Sequence, residues 1–169
     1  VISRCVAEGW QCVLTYSSSN ALRWMERPGG IPEVLAADFL PEDTIFNTRR
    51  LLGLIQPSGI VHVSYDLWPN LIWEAQRQGI PQGLISALVH AGSAREAKGF
   101  GRALYCSLYE ALEFVGAVAE ADQARILRSA PQHQEVFVMG DTRCDSVLER
   151  RERLSPPEFP EVASGKFIL

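Results

Sequence analysis

Residues 59–89 read GIVHVSYDLWPNLIWEAQRQGIPQGLISALV. Two short runs rich in β-branched and aliphatic residues, Gly59 to Ser64 and Gln82 to Val89, flank an amphipathic stretch from Pro69 to Gln78. Pro69 suits the first turn of a helix, where its missing N–H costs nothing, and Gly79 followed by Ile80 and Pro81 supplies the stop. The order strand, helix, strand is a βα unit, and such units build parallel sheets.

The same alternation runs outward in both directions. Further strands are expected at Gln11 to Tyr16, Glu33 to Phe39, Gly116 to Ala119 and Glu135 to Met139. Their apolar runs are nearly continuous, as in strands covered on both faces by helices. Helices are expected at Asn20 to Glu26, with Asn20 as cap, and at Asp43 to Leu54, Gly101 to Val115, Ala121 to Ser129 and Cys144 to Arg153. Val1 to Glu8 reads as the last two turns of a helix whose preceding strand is absent. Ser155 to Pro160 reads as a stiff linker, and Lys166 to Leu169 as the opening of another strand. The expectation is an α/β Rossmann-like sandwich with a mostly parallel sheet of about six or seven strands, with ligands along their carboxyl ends.

The 169 residues suffice for one hydrophobic core, and 47% apolar with 21% charged residues is the composition of a globular domain. A net charge of −4, from 16 basic and 20 acidic side chains spread along the chain, leaves no basic stripe for a phosphate backbone, so nucleic acid is not an expected partner. No apolar run approaches the ~20 residues that span a bilayer, and no secretory leader opens the chain, which as given is expected to be soluble. Cys5, Cys12, Cys106 and Cys144 form no CxxC pair, and His62, His90 and His133 are scattered. Buried free thiols and no metal site are the reading.

Several sites can be set aside. Gly99-Phe100-Gly101 follows a polar loop, not a strand, so no dinucleotide fingerprint is present, and Gly165-Lys166 lacks the Ser or Thr of a P-loop. Asp66 stands just beyond a strand, at the edge where open α/β sheets bind ligands. It is a candidate site carboxylate, or equally a cap for the Pro69 helix. A receiver-domain phosphoacceptor is disfavoured by the absence of paired acidic residues after the first strand. Trp68, Trp73, Tyr105, Tyr109 and Phe114 could form a stacking platform, but Tyr105, Leu108, Tyr109 and Leu112 repeat at helical spacing as a core face does. His90, Ser93, Arg95 and Lys98 occupy a loop after the fourth strand that is either solvated or anion-contacting.

Ser64-Tyr65-Asp66-Leu67-Trp68-Pro69-Asn70 resembles the Glu-x-Glu-Leu-Trp-Pro-Asn segment of the 3-deoxy-manno-octulosonic acid (Kdo) transferases. Ala119 to Arg125 resembles the family's Gln-Ser-x-x-Asp-x-x-Arg, and Gly140 to Asp145 its Gly-Asn-x-Lys-x-Asp turn. Pro41-Glu42-Asp43 and the hydroxyl-rich Tyr16 to Ser19 match upstream segments, so the likeness covers nearly the whole chain. It implies the amino-terminal, acceptor-side half of a two-domain GT-B glycosyltransferase. Residues 1–154 would form that domain without its first strand, and residues 155–169 the linker to a donor-binding domain.

The implied reaction passes Kdo from CMP-Kdo to a lipid A precursor, with inversion and with no cofactor or tightly bound metal. A base must take the acceptor proton, and positive groups must hold the departing phosphate. In the family that base is a Glu between the first strand and first helix, a position that would lie before Val1, so this piece alone is expected to be inactive. The resemblance also implies lipopolysaccharide synthesis at the cytoplasmic face of the bacterial inner membrane, with the membrane surface contacted by parts outside this chain. Asp66 becomes the candidate catalytic residue, and Ser64, Asn70, Ser86, Ser93 and Arg143 the candidate substrate-binding residues. Four positions depart from the family pattern: Ser64 and Asp66 replace its two Glu, Leu88 stands where its Asn-x-Arg-x-Ser has Arg, and Arg143 replaces Lys. A binding or regulatory module that kept the fold and lost the chemistry is the alternative.

Overall fold

The computed structural model describes residues 1–19, 34–90, 92, 99–133 and 135–153. In chain order these form α1 (Ile2–Ala7), β1 (Val13–Tyr16), β2 (Ala36–Phe39), α2 (Ile45–Ile55), β3 (Ile60–Val63), α3 (Pro69–Arg77), β4 (Gln82–Ala87), α4 (Phe100–Glu110), β5 (Phe114–Ala117), α5 (Glu120–Ser129), β6 (Val136–Val138) and α6 (Thr142–Arg153). All strand pairs are parallel. The expected helix at Asn20 to Glu26, the linker and the terminal strand lie outside the described residues.

The strands divide into a two-stranded sheet, β1-β2, and a four-stranded sheet in the order β3-β4-β5-β6. A single sheet was expected. Beyond β2 the chain meets the second unit: α2 packs on α3, and Leu52, Leu71 and Ala75 form a small buried cluster with Leu40, Ile60 and Trp68 against it. The larger core lies around β4 and β5, where Leu84, Ala87, Val115 and Ala117 meet Ile72, Leu108, Tyr109 and Ile126 from the helices. Full burial of each such Leu or Ile stabilises the fold by about 1.5–3 kcal/mol.

Among the described strands, only β4 and β5 are covered on both faces. In β3, Val61 and Val63 are exposed while His62 between them is buried, and β1, β2 and β6 are mostly exposed. A run of β-branched residues signals a strand without saying how many of its faces are covered.

The expected helix from Gly101 to Val115 stops at Glu110, because Phe114 and Val115 begin β5. Residues 111–113 close the turn, with the Leu112 N–H donating to the Tyr109 carbonyl and the Glu113 N–H to Gln82. Continuous apolar character hid that boundary. The Pro69 and Gly79 punctuation of α3 held. Thr44 caps α2 by accepting from the Asn47 N–H at 3.2 Å, and Gly79, at φ 71°, ends α3 in the left-handed conformation that glycine takes without strain. Among the described residues no helix is long and apolar enough to cross a membrane. The four cysteines are free, but none is buried, and Cys144 is exposed.

Candidate functional site at the carboxyl ends of the strands

β3 ends at Val63, and the chain then turns through Ser64 and Tyr65 before α3 begins at Pro69. The Asp66 N–H donates to the Val63 carbonyl at 3.1 Å, and the Leu67 N–H to Tyr65 at 2.9 Å. Asp66 is thereby placed beyond the carboxyl end of the strand, exposed to solvent. It does not cap α3. That role belongs to Asp43, whose two carboxylate oxygens accept from the N–H groups of Asn70 and Leu71, each at 3.0 Å.

Asn70 belongs to the same joint. Its side-chain amide donates to the Asp43 carbonyl at 2.6 Å and to the Asp43 carboxylate at 3.2 Å. The amide therefore fastens the loop after β2 to the start of α3, and the structure does not bring it together with the other candidates.

Ser64 and Ser86 follow or end adjacent strands, and both adopt positive φ, 59° and 51°. A non-glycine residue in that region costs about 1–3 kcal/mol and persists only where the surroundings hold it. The Ser64 N–H donates to Ile85 at 2.8 Å, which continues the β3–β4 ladder one residue past β3. Ser86 is buried, and its hydroxyl lies 2.8 Å from the Thr142 hydroxyl and accepts from the Thr142 N–H at 3.2 Å. Its own N–H meets the Met139 sulfur at 3.4 Å. Ser86 thus ties the end of β4 to the first turn of α6, satisfying a helix N–H that has no partner within the helix.

That first turn carries Arg143, whose guanidinium makes a two-pronged contact with Asp141 at 2.6–3.0 Å. The pair holds the Asp141 carboxyl below its usual range and raises the arginine, which also responds to the phenol of Tyr65. Ser93, Arg95 and Lys98 lie outside the described residues.

Sequence reasoning named none of four residues that build this edge as a site residue, although Asp122 and Arg125 lie in the Ala119 to Arg125 segment that resembles the family. Asp122 accepts from the Val89 N–H at 2.9 Å while Arg125 donates to the Val89 carbonyl at 3.1 Å, so a 3.5 Å ion pair holds both backbone groups of one residue beyond β4. Their spacing of three on a helix was the available signal. Thr142 was hidden as an ordinary helix-start residue. His62 appeared only as a scattered histidine, yet it is buried in β3 with its Nε2 3.1 Å from the Gln82 side-chain oxygen. No three His, Cys, Asp or Glu side chains among the described residues gather as metal ligands would. A depression lined by Glu110, Glu113, His133 and Glu135 lies at the opposite, amino-terminal edge of the sheet.

The arrangement offers an exposed carboxylate, hydroxyl groups and a paired cation at one end of a parallel sheet. These can orient a polar ligand and favour or oppose charge, which is what the carboxyl edge of such sheets does. The family model described as 3-deoxy-D-manno-octulosonic-acid transferase (kdotransferase) matches residues 1–146. The chain is 36% identical over 91 residues to the 3-deoxy-D-manno-octulosonic acid transferase of Bordetella pertussis, covering 54% of this chain and 21% of that protein. It is 39% identical over 57 residues to a probable mitochondrial 3-deoxy-D-manno-octulosonic acid transferase of Arabidopsis thaliana, covering 34% of this chain and 13% of that one. The aligned parts are thus 21% and 13% of these relatives' lengths. With a parallel α/β sheet, a turn at Asp66 beyond its carboxyl edge, and a family match over residues 1–146, the chain belongs to the Kdo transferase family as its amino-terminal domain.

Proposed function

We propose that this domain is the acceptor side of a GT-B enzyme that transfers Kdo from CMP-Kdo to a lipid A precursor, at the cytoplasmic face of the bacterial inner membrane. The observation that carries the reading is the family match across residues 1–146, which include the Asp66 turn at the ligand edge of the sheet. Asp66, with Ser64 beside it, would hold an acceptor hydroxyl or order a neighbouring cation. Arg143 would act on the developing negative charge only by sharing its guanidinium with Asp141. Ser86 would serve through Thr142, and Ser93 would contribute from its loop. Residues 1–154 are the acceptor domain in this reading, and residues 155–169 lead toward the donor-binding half.

The test is transfer of labelled Kdo from CMP-Kdo to a tetra-acylated lipid A precursor by the whole protein. Product is expected there, and none from residues 1–169 alone, since base and donor domain lie elsewhere in this reading. Turnover by these residues alone would overturn the division of labour. A second reading, a binding module without chemistry, is favoured by the internal engagement of Asn70, Ser86 and Arg143. It predicts lipid A precursor binding by the whole protein with no transfer.

A further inference from the structure

β4 ends at Ala87, whose carbonyl accepts from the Val118 N–H at 3.0 Å. Val89 lies beyond that end and is 2% exposed, so its backbone groups need partners away from water. The start of α5 supplies both. The Asp122 carboxylate, itself buried, accepts from the Val89 N–H at 2.9 Å, and the Arg125 guanidinium donates to the Val89 carbonyl at 3.1 Å. A carboxylate and a guanidinium thus stand where a neighbouring strand would present a carbonyl and an N–H, and their charge strengthens both hydrogen bonds. The two side chains, one helical turn apart, lie 3.5 Å from each other. His90 comes next in the chain and is exposed. Because β3 and β4 are adjacent and parallel, Asp66 and His90 follow the same edge of the sheet, each three residues past the last strand residue, Val63 or Ala87.

We propose that Asp122 and Arg125 are a positioning pair that prolongs β4 with side chains in place of a strand, and so sets where His90 enters the acceptor site beside Asp66. The core packing of Leu84 and Ala87 already holds β4 itself. The pair acts where the strand has ended, so what it determines is the path of the chain leaving the sheet. Each member needs the other. Removing Arg125 leaves the Val89 carbonyl without its donor and the buried Asp122 charge without its cation, and removing Asp122 strands the Val89 N–H. The first turn of α5 favours the ionised carboxylate as well, because the helix N-terminus attracts negative charge. The imidazole of His90 can donate to, or accept from, a hydroxyl of the acceptor and donate to a phosphate oxygen. The hold on Val89 is independent of the reaction, and its importance for acceptor use rests on the transferase reading.

The experiment uses the whole protein with Asp122→Ala, Asp122→Asn, which keeps an acceptor oxygen, Arg125→Met, which keeps the apolar stem, and the Ala–Met double variant. Amide hydrogen exchange at Val89 is read beside that of Val115 in the core. Asp122→Ala is expected to speed exchange at Val89 by about 10-fold or more relative to Val115, with Asp122→Asn retaining most of the protection. In transfer assays Asp122→Ala and Arg125→Met should each raise KM for the tetra-acylated lipid A precursor by about 10-fold, leave KM for CMP-Kdo unchanged, and together do little more than either alone, since both hold one residue. A purely structural role lowers the amount of folded enzyme, hence kcat, with both KM values unchanged, and that result overturns the proposal. Val89 exchange that does not change relative to Val115 overturns it too. Should Asp122→Ala fail to fold, acceptor KM in Arg125→Met decides alone. If the unsubstituted protein transfers no sugar, the transferase reading falls and precursor binding takes the place of KM: weaker binding by the variants supports the positioning role, and unchanged binding, or none by the unsubstituted protein, overturns it.

Discussion

Two aspartates stand near the start of α3, and their removal should cost different things. Asp43 receives two helix N–H groups and the Asn70 amide, so Asp43→Ala strands donors at a half-buried joint. Urea denaturation should show a loss of about 1–2 kcal/mol, the range for a lost helix cap. An unchanged midpoint would mean that water replaces the carboxylate without penalty. Asp66 caps nothing on α3 and lies in water, so Asp66→Asn keeps most of its hydrogen bonding and avoids a stranded charge. In the whole enzyme turnover should fall by ~10-fold or more, equivalent to ~1.4 kcal/mol in the barrier, with the melting temperature almost unmoved. Turnover and melting are measured on the same variant, and unchanged turnover removes Asp66 from the functional residues. The sequence could not separate these two carboxylates. Both precede the same helix, and only the fold shows that the one distant in sequence reaches its N-terminus.

Element boundaries were legible where punctuation is local. Pro69 and Gly79 bracket α3 closely, because caps and stops act over three or four residues. The end of α4 was not legible, since an apolar helix face runs straight into an apolar strand. Nor was the split into two sheets, because pairing between strands distant in sequence leaves no local mark. Packing between β4, β5 and β6 is equally silent in the sequence, and two glycines carry it. A Cβ on Gly83 would run into the Phe114 ring, and one on Gly116 into the Met139 sulfur. Gly83→Ala should therefore destabilise by about 1–3 kcal/mol, the usual cost of overpacking a filled core. For Gly116→Ala the flexible Met139 can move aside, and the loss should sit at the lower end of that range. The displaced sulfur would then leave the Ser86 N–H, so the Ser86 amide resonance should shift in Gly116→Ala and remain in place in Gly83→Ala. Equal shifts in both variants would mean that the Met139 contact does not order the end of β4.

At the scale of the molecule, α2 packs on α3, and one buried carboxylate lies between them. Glu74 of α3 accepts from Arg77 on its own helix and from Arg49 on α2, with Gln78 adding a third donor. The Arg77 hydrogen bond comes first among the causes that hold its carboxyl down to about 2, against the opposing effect of burial. In the unfolded chain this group returns to the ordinary carboxylate range. The folded state then binds fewer protons than the unfolded one between those two values. The contribution of Glu74 is therefore fully present above the unfolded value and is lost as pH falls through the folded one. Asp141, lowered by Arg143, acts in the same direction in the same acid window. His62 acts earlier, because its folded pKa is also lowered, and stability falls once pH drops below the ordinary histidine value of about 6.5. Urea denaturation from about pH 7 to pH 3 should thus show a decline in two stages. Glu74→Gln should flatten the lower stage and leave the upper, whereas His62→Gln should flatten the upper and leave the lower. If Glu74→Gln gives a curve parallel to that of the unsubstituted protein throughout the acid range, the link between α2 and α3 does not depend on that charge. The joint would then rest on Leu52, Leu71 and Ala75 together with the Asp43 cap.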